Sequence, residues 1–178
     1  MSRKSVAKLK PLRSELRMNF RDKLIAWNNL PEWRAAVRAR GQKLVVTNGC
    51  FDLLHLGHVT YLEEARKRGD VLLIGVNGDA AVRELKGPSR PINSEQDRAL
   101  VLAALESVAG VCIFSEKRAT RFLGQAQPDI YVKGGDYTLE TLDQDERRIV
   151  EAAGGKIILI PLVAGKSTTA TLQKLGST

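Results

Sequence analysis

This chain has little of what would place it in several common classes. It has two cysteines in 178 residues, Cys50 and Cys112. They lie far apart, so no disulfide framework is expected and a reducing cytoplasm is the expected compartment. No group of Cys and His has the spacing of a structural zinc site. No apolar run approaches the roughly 20 residues that a membrane-crossing helix needs. The first 20 residues are mostly basic and polar and lack the apolar core of a secretory signal. Two phosphate-loop signatures are also missing: there is no G-x-x-x-x-G-K-[ST] segment and no G-x-G-x-x-G segment.

What is present suits one domain with a single core and a short appendage. The hydrophobic fraction is 43% and the charged fraction 27%, both ordinary for a globular chain. The formal charge of +8 is unevenly placed. Residues 1–41 hold 11 of the 28 Lys and Arg and 3 of the 20 Asp and Glu, which accounts for the whole excess. The remainder is balanced, so the charge does not mark the main domain as a nucleic-acid binder. A basic tail attracts nucleic acid, anionic lipid or an acidic protein surface, and a solvated, partly helical lead-in explains the same residues. An Arg-rich, acid-poor start also fits an organellar transit sequence, although helical patterning continues beyond it.

The order of elements predicts the fold. Two short helices are expected over 19–30 and 32–40, around Pro31, with Trp27 and Trp33 packing them onto the domain and Gly41 as the stop. Apolar, β-branched runs at 43–47, 71–76, 111–114, 130–132 and 156–160 read as strands. Helical spacing follows at 58–68, 94–105, 118–123, 142–152 and 168–175. Ser94 caps the second of these helices, with Asp97 as its acidic partner. Strands that are apolar throughout and alternate with helices indicate a parallel sheet covered on both faces. The expectation is therefore an α/β, doubly wound, Rossmann-like domain: five parallel strands over 41–178, preceded by a basic, partly helical extension over 1–40. Such sheets bind ligands beyond the carboxyl ends of their strands, where the strand order switches.

The loop after the first strand, residues 47–58, carries the most information. Both histidines of the chain, His55 and His58, fall there with Gly57 between them. A helix starting near His58 would offer unpaired N–H groups and the positive end of its dipole to an anion. Two imidazoles add donors, and Gly49 and Gly57 permit close approach. The set reads as a cradle for a polyphosphate. Two unremarkable histidines beside a loop glycine, or a sparse zinc site, are the competing readings.

Asn48-Gly49-Cys50-Phe51-Asp52 followed by His55-Leu56-Gly57-His58, an HxGH motif, resembles the signature of the cytidylyltransferase-like nucleotidyltransferases. Further segments agree in order: 85–93, Gln96-Asp97-Arg98, 132–137 and Gly165-Lys166-Ser167-Thr168-Thr169. Together they resemble the adenylyltransferase domain of the ADP-heptose synthases, the D-glycero-β-D-manno-heptose 1-phosphate adenylyltransferases, over roughly residues 40–176. Some members of that family carry a sugar kinase in the same chain, for which this sequence has no room. Glycerol 3-phosphate cytidylyltransferases place an Arg where this chain has Pro161-Leu162-Val163-Ala164.

The resemblance implies transfer of AMP from ATP to a sugar 1-phosphate, with release of pyrophosphate, in the synthesis of ADP-heptose for lipopolysaccharide. It implies His55, His58, Lys86 and Arg98 at the triphosphate. It implies a nucleotide site from Asn48, Gly49, Cys50, Phe51, Asp52, Gly57, Lys133, Gly134, Gly135, Asp136, Ser167, Thr168 and Thr169. Arg90 is a candidate for the acceptor phosphate. Mg2+ is expected to arrive with ATP, and no protein cage for it is visible. Cys50 has no nucleophile-activating partner in view and reads as a loop-packing residue. A homodimer, and a separate sugar kinase and phosphatase acting in the same pathway, are also implied. The alternatives are a cytidylyltransferase acting on an alcohol phosphate and a nucleotide-binding regulator without turnover.

Overall fold

The computed structural model describes residues 19–135 and 138–161. Within them the order is α1 (Leu30–Ala39), β1 (Leu44–Gly49), α2 (Leu56–Arg66), β2 (Val71–Asn77), α3 (Asp79–Lys86), α4 (Glu95–Ala103), β3 (Gly110–Phe114), α5 (Thr120–Ala126), β4 (Ile130–Gly134), α6 (Gln144–Ala152) and β5 (Lys156–Ile160). The five strands are parallel and lie in the order β3-β2-β1-β4-β5. The chain builds outward from β1 to β3, then returns to the other side of β1 for β4 and β5. Crossovers of one hand then lay their helices on opposite faces, and the carboxyl ends of β1 and β4 diverge to form the switch point.

Alternation along the strands feeds two cores. Val45, Leu72, Ile74, Val76, Val111 and Val132 pack with Tyr61, Leu62 and Ala65 of α2 and Ala99, Leu102 and Ala103 of α4. Leu44, Val46, Leu73, Cys112, Phe114 and Tyr131 pack with residues of α1, α5 and α6 on the other face. All seven residues of β2 are buried, as expected for a strand covered on both sides.

The N-terminal segment differs from the sequence expectation. In place of a helix over 19–30 there are two 3-10 turns, Phe20–Lys23 and Trp27–Asn29, joined by extended chain. Leu24 bridges to Val111 and the Ile25 N–H donates to the Val111 carbonyl at 2.8 Å. This pairing satisfies part of the open edge of β3, which outweighs the helical preference of a short segment. A Cβ on Gly110 would lie 2.6 Å from Ile25 Cδ1, so a side chain there would push the Ile25 tip from its seat. Ile25, Leu30 and Val37 belong to the second core, with Trp27 and Trp33 packed against it. Arg34, almost fully buried, donates to the Gln127 carbonyl at 3.0 Å and to Asp129 at 2.9 Å. Asp129 in turn accepts from the Leu44 N–H at 2.7 Å, so α1 is tied to the first residue of β1.

Helix α3 was not expected from the sequence. It has eight residues, buries only Ala81 and Val82, and begins with the Asp79 N–H bonded to the Glu95 carboxylate at 2.7 Å. The capping group comes from sixteen residues downstream, where a local reading does not look. The closing helix expected over 168–175 lies outside the described residues.

Candidate active site

β1 ends at Gly49, and the loop from Cys50 to His55 carries the chain to α2. Phe51 has a φ of 45°, a left-handed conformation that costs a non-glycine residue on the order of 1–3 kcal/mol. Its ring lies over Gly49, where a Cβ would come within 3.1 Å of the ring. The same ring meets His58 edge-on at 5.5 Å. His55 and His58 stack at 3.9 Å with 26° between their planes. The strained Phe51 backbone is thus coupled to a packed aromatic unit at the head of α2.

His55 is the N-cap of α2, with φ −140° and ψ 170°. Its carbonyl accepts from the His58 N–H at 2.9 Å and the Val59 N–H at 3.3 Å. The preceding N–H groups, of Leu56 and Gly57, have no intrahelical acceptor, and the helix dipole favours an anion beside them. The pKa of His58 is lowered to about 4, first by burial and then by the neighbouring His55. His58 is therefore neutral at pH 7, with one nitrogen a donor and the other an acceptor. Its Nδ1 is buried and has no hydrogen-bond partner among the described residues.

Behind this pair, two ion pairs hold the loop. Asp52 is 4% exposed. Its carboxylate accepts from the Ile92 N–H at 2.8 Å and the Asn93 N–H at 3.1 Å, and is paired with Arg90. Asn93 Nδ2 returns a bond to the Asp52 carbonyl at 3.0 Å. Asp52 is thus engaged in ordering residues 90–93. Arg90 Nε belongs to that pair, while its Nη groups form no bond among the described residues.

Among the described residues Arg98 is the most deeply held cation. Its side chain has no exposure. Nε donates to the Asn93 carbonyl at 3.1 Å, and Nη1 donates to the Cys50 carbonyl. Nη2 donates to the Asn77 carbonyl and to Asp79, both at 2.8 Å. One guanidinium thus joins the loop after β1, the end of β2, the start of α3 and the approach to α4. Asn77 extends the frame, its amide donating to the carbonyls of Glu116 and Lys117 at 3.2 and 3.3 Å. The sequence reading put Arg98 at the triphosphate; here four of its five N–H groups are spent inside the protein, beneath the loop.

Lys86 ends α3, is exposed, and forms no ion pair among the described residues. It lies near enough to Cys50 to favour the thiolate, but burial is the larger effect and raises the Cys50 pKa. An unreactive thiol fits a packing role.

A third group lies across the switch point. Asn48, at the end of β1, accepts through Oδ1 from Lys133 Nζ at 3.1 Å and from the Tyr131 hydroxyl at 2.6 Å. Glu146 of α6 lies 2.8 Å from that hydroxyl and 3.1 Å from Lys133 Nζ, and accepts from the Ala119 N–H at 2.9 Å. Gly134 closes β4 and Gly135 follows it with a φ of 137°. Asp136, Ser167, Thr168 and Thr169 lie outside the described residues.

A family model described as cytidylyltransferase-like matches residues 46–173, a span that includes every side chain of the site described above. The chain belongs to the cytidylyltransferase-like family. Among curated proteins it is 51% identical over 138 residues to "Bifunctional protein HldE" of Syntrophotalea carbinolica, covering 78% of this chain and 28% of that protein. The protein of the same description from Mesorhizobium japonicum is 51% identical over 146 residues, covering 81% and 29%. The chain therefore spans less than a third of the length of these relatives. Among solved structures, the lipopolysaccharide core biosynthesis protein of Thermoplasma volcanium aligns with a TM-score of 0.57 at 28% identity, covering 69% of this chain and 98% of that one. The pantoate-beta-alanine ligase of Francisella tularensis shares the fold, with a TM-score of 0.55 at 13% identity, covering 87% and 80%.

These matches agree with the family resemblance carried by the 48–58 motif. Members of the cytidylyltransferase-like family generally use a divalent metal with the nucleotide. Among the described residues no group of three or more His, Cys, Asp or Glu could hold such an ion, and Asp52 is already committed to Arg90 and the 92–93 backbone. No described helix is long and apolar enough to cross a membrane. Five residues of the frame escaped the sequence reading: Asn77, Asp79, Asn93, Tyr131 and Glu146. Each acts through a partner distant in sequence, so none carries a local signal. The nearest to one is Tyr131, a hydroxyl inside an otherwise apolar strand.

Proposed function

We propose that the chain is an adenylyltransferase that transfers AMP from MgATP to D-glycero-β-D-manno-heptose 1-phosphate. The observation that carries this reading is the stacked His55–His58 pair at the open N-terminus of α2, with a buried Nδ1 on a neutral His58 that has no hydrogen-bond partner among the described residues. Relatives about 50% identical, described as bifunctional HldE proteins, and a lipopolysaccharide core biosynthesis protein of like fold support the heptose branch.

In the proposed reaction an anionic oxygen of the sugar phosphate attacks the α-phosphorus of ATP. The bond from that phosphorus to the β-bridging oxygen breaks, and its electron pair leaves with pyrophosphate. The nucleophile is already an anion, so neither a strong base nor a covalent intermediate is required. The work is positioning and neutralising charge. His55, His58 and the first N–H groups of α2 meet the phosphates, with Gly49, Cys50, Phe51 and Gly57 shaping the approach. Phosphate charge also favours the imidazolium, so His58 strengthens as a donor as charge builds on the leaving group. Lys86 supplies an exposed ammonium. Arg90, fixed through Nε, keeps its Nη groups for the acceptor phosphate. Arg98 and Asp52 hold the loop in its working shape. Asp136, Ser167, Thr168 and Thr169 remain assigned to the nucleotide by resemblance alone. Mg2+ is part of the substrate, carried by ATP.

The test is pyrophosphate release with ATP or CTP against heptose 1-phosphate and glycerol 3-phosphate. Release confined to ATP with the heptose phosphate is the expected result. Release with CTP and glycerol 3-phosphate would keep the family chemistry and overturn the substrate assignment.

A further inference from the structure

Asn48, Tyr131, Lys133 and Glu146 form a closed ring of polar contacts between β1, β4 and α6. Glu146 is 4% exposed and Lys133 has a side-chain exposure of 15%, so both charges are largely out of water. Apolar residues would pack a sheet against a helix as well, and a buried ion pair is weak as a stabilising device. What the ring does fix is orientation. An ammonium cannot accept a hydrogen bond, so the Lys133 contact forces the oxygen of the Asn48 amide to face it. Asn48 Nδ2 is thereby turned away from the ring, and it donates to nothing among the described residues. Lys133 uses two of its three N–H groups on Asn48 and Glu146, which leaves one. The Tyr131 hydroxyl has a single proton for the two oxygens it faces and adds no donor of its own.

The outcome is N–H groups on Asn48 Nδ2 and Lys133 Nζ that have no acceptor among the described residues, held at the ends of two neighbouring strands where the sheet order switches. Such a set suits an acceptor-only group. We propose that Asn48 Nδ2 and Lys133 Nζ form a phosphate-oxygen subsite between β1 and β4, with Tyr131 and Glu146 as its positioning residues. This rests on the nucleotidyltransferase reading above. The phosphate belongs either to ATP or to the acceptor sugar phosphate, which present the same chemistry.

Separate calorimetric titrations of MgATP and of heptose 1-phosphate distinguish the two. They would use the wild type, Lys133→Met, Lys133→Arg, Glu146→Gln and Tyr131→Phe, with thermal unfolding as the check on folding. Lys133→Met is expected to weaken one ligand by about tenfold or more, the size of one charge-assisted hydrogen bond. The other ligand should stay within about twofold, as for a site not touched. Glu146→Gln and Tyr131→Phe should weaken the same ligand by a smaller factor, and Lys133→Arg should recover part of the loss. In steady state the effect should fall on the KM of that substrate more than on kcat. Unchanged affinity for both ligands in Lys133→Met overturns the proposal. So does equal loss of both in step with a fall in Tm, or a wild type that binds neither. A wild type that binds both without turnover defeats the adenylyltransferase reading, and the same titrations still judge the subsite.

Discussion

Replacing His58 with Ala separates the two properties of that ring, its contact with charge and its reluctance to be charged. The first is read in turnover. A preorganised donor aimed at developing negative charge is worth ~2.7–4 kcal/mol, so His58→Ala should lower kcat by about a hundredfold to a thousandfold in pyrophosphate release at pH 7.5. The second is read in stability against pH. Burial and His55 bring the His58 pKa from 6.5 in the unfolded chain to about 4 in the folded one. Between these values the unfolded chain binds more protons than the folded one, so this ring makes stability rise with pH from about 4 to 6.5 and contributes nothing further above that. The full difference corresponds to ~3 kcal/mol at 1.36 kcal/mol per pH unit, and solvent screening of a partly buried ring reduces it to ~1–2 kcal/mol. Urea denaturation of wild type and His58→Ala at pH 7 and pH 4.5 isolates this term, because the other groups titrate in both proteins. The variant should lose ~1–2 kcal/mol less on acidification. Equal losses in the two proteins would show that His58 is not held neutral, and near-normal turnover of a folded variant would remove it from the chemistry.

Two other predictions follow from the frame around the histidines. Arg98→Met removes a guanidinium that serves three carbonyls and Asp79, and should cost ~3–5 kcal/mol in denaturant unfolding, the usual price of stranding the partners of a buried charge; a loss under 1 kcal/mol would mean that the frame does not depend on it. Lys86→Ala should leave stability within about 0.5 kcal/mol, as for other exposed positions. Its kcat/KM for ATP should nevertheless fall by about tenfold or more, the scale of one hydrogen bond to a charged group. A kcat/KM equal to wild type would place Lys86 outside the site.

Much of the fold was legible because parallel strands buried on both faces need continuous apolar runs, and those at 71–76 and 156–160 stand out without any knowledge of their neighbours. The capped helix after Ser94 was equally local: its hydroxyl accepts from the Asp97 N–H, three residues on. The candidate site was legible where its residues are contiguous, from Asn48 to His58. Arg98 was visible as a residue but not as a hub, since a helix-surface arginine and one that grips four elements look alike in sequence. Helix α3 and the extended pairing of residues 24–25 were missed because their stabilising partners, Glu95 and Val111, lie 16 and 86 residues away.

The sequence by itself determined the alternation of strand and helix, the candidate-site loop at the head of α2 and the family to which the chain belongs, because periodicity and contiguous motifs are properties of neighbours along the chain. Only the tertiary structure decided that β4 lies beside β1, and hence that Lys133 meets Asn48. It also decided that Arg98 bonds the Cys50 carbonyl and Asp52 the 92–93 backbone, that His58 is neutral, and that Glu146 is a buried charge with three partners. Each of those depends on desolvation or on contact between distant segments, which arise only when the sheet has closed around β1.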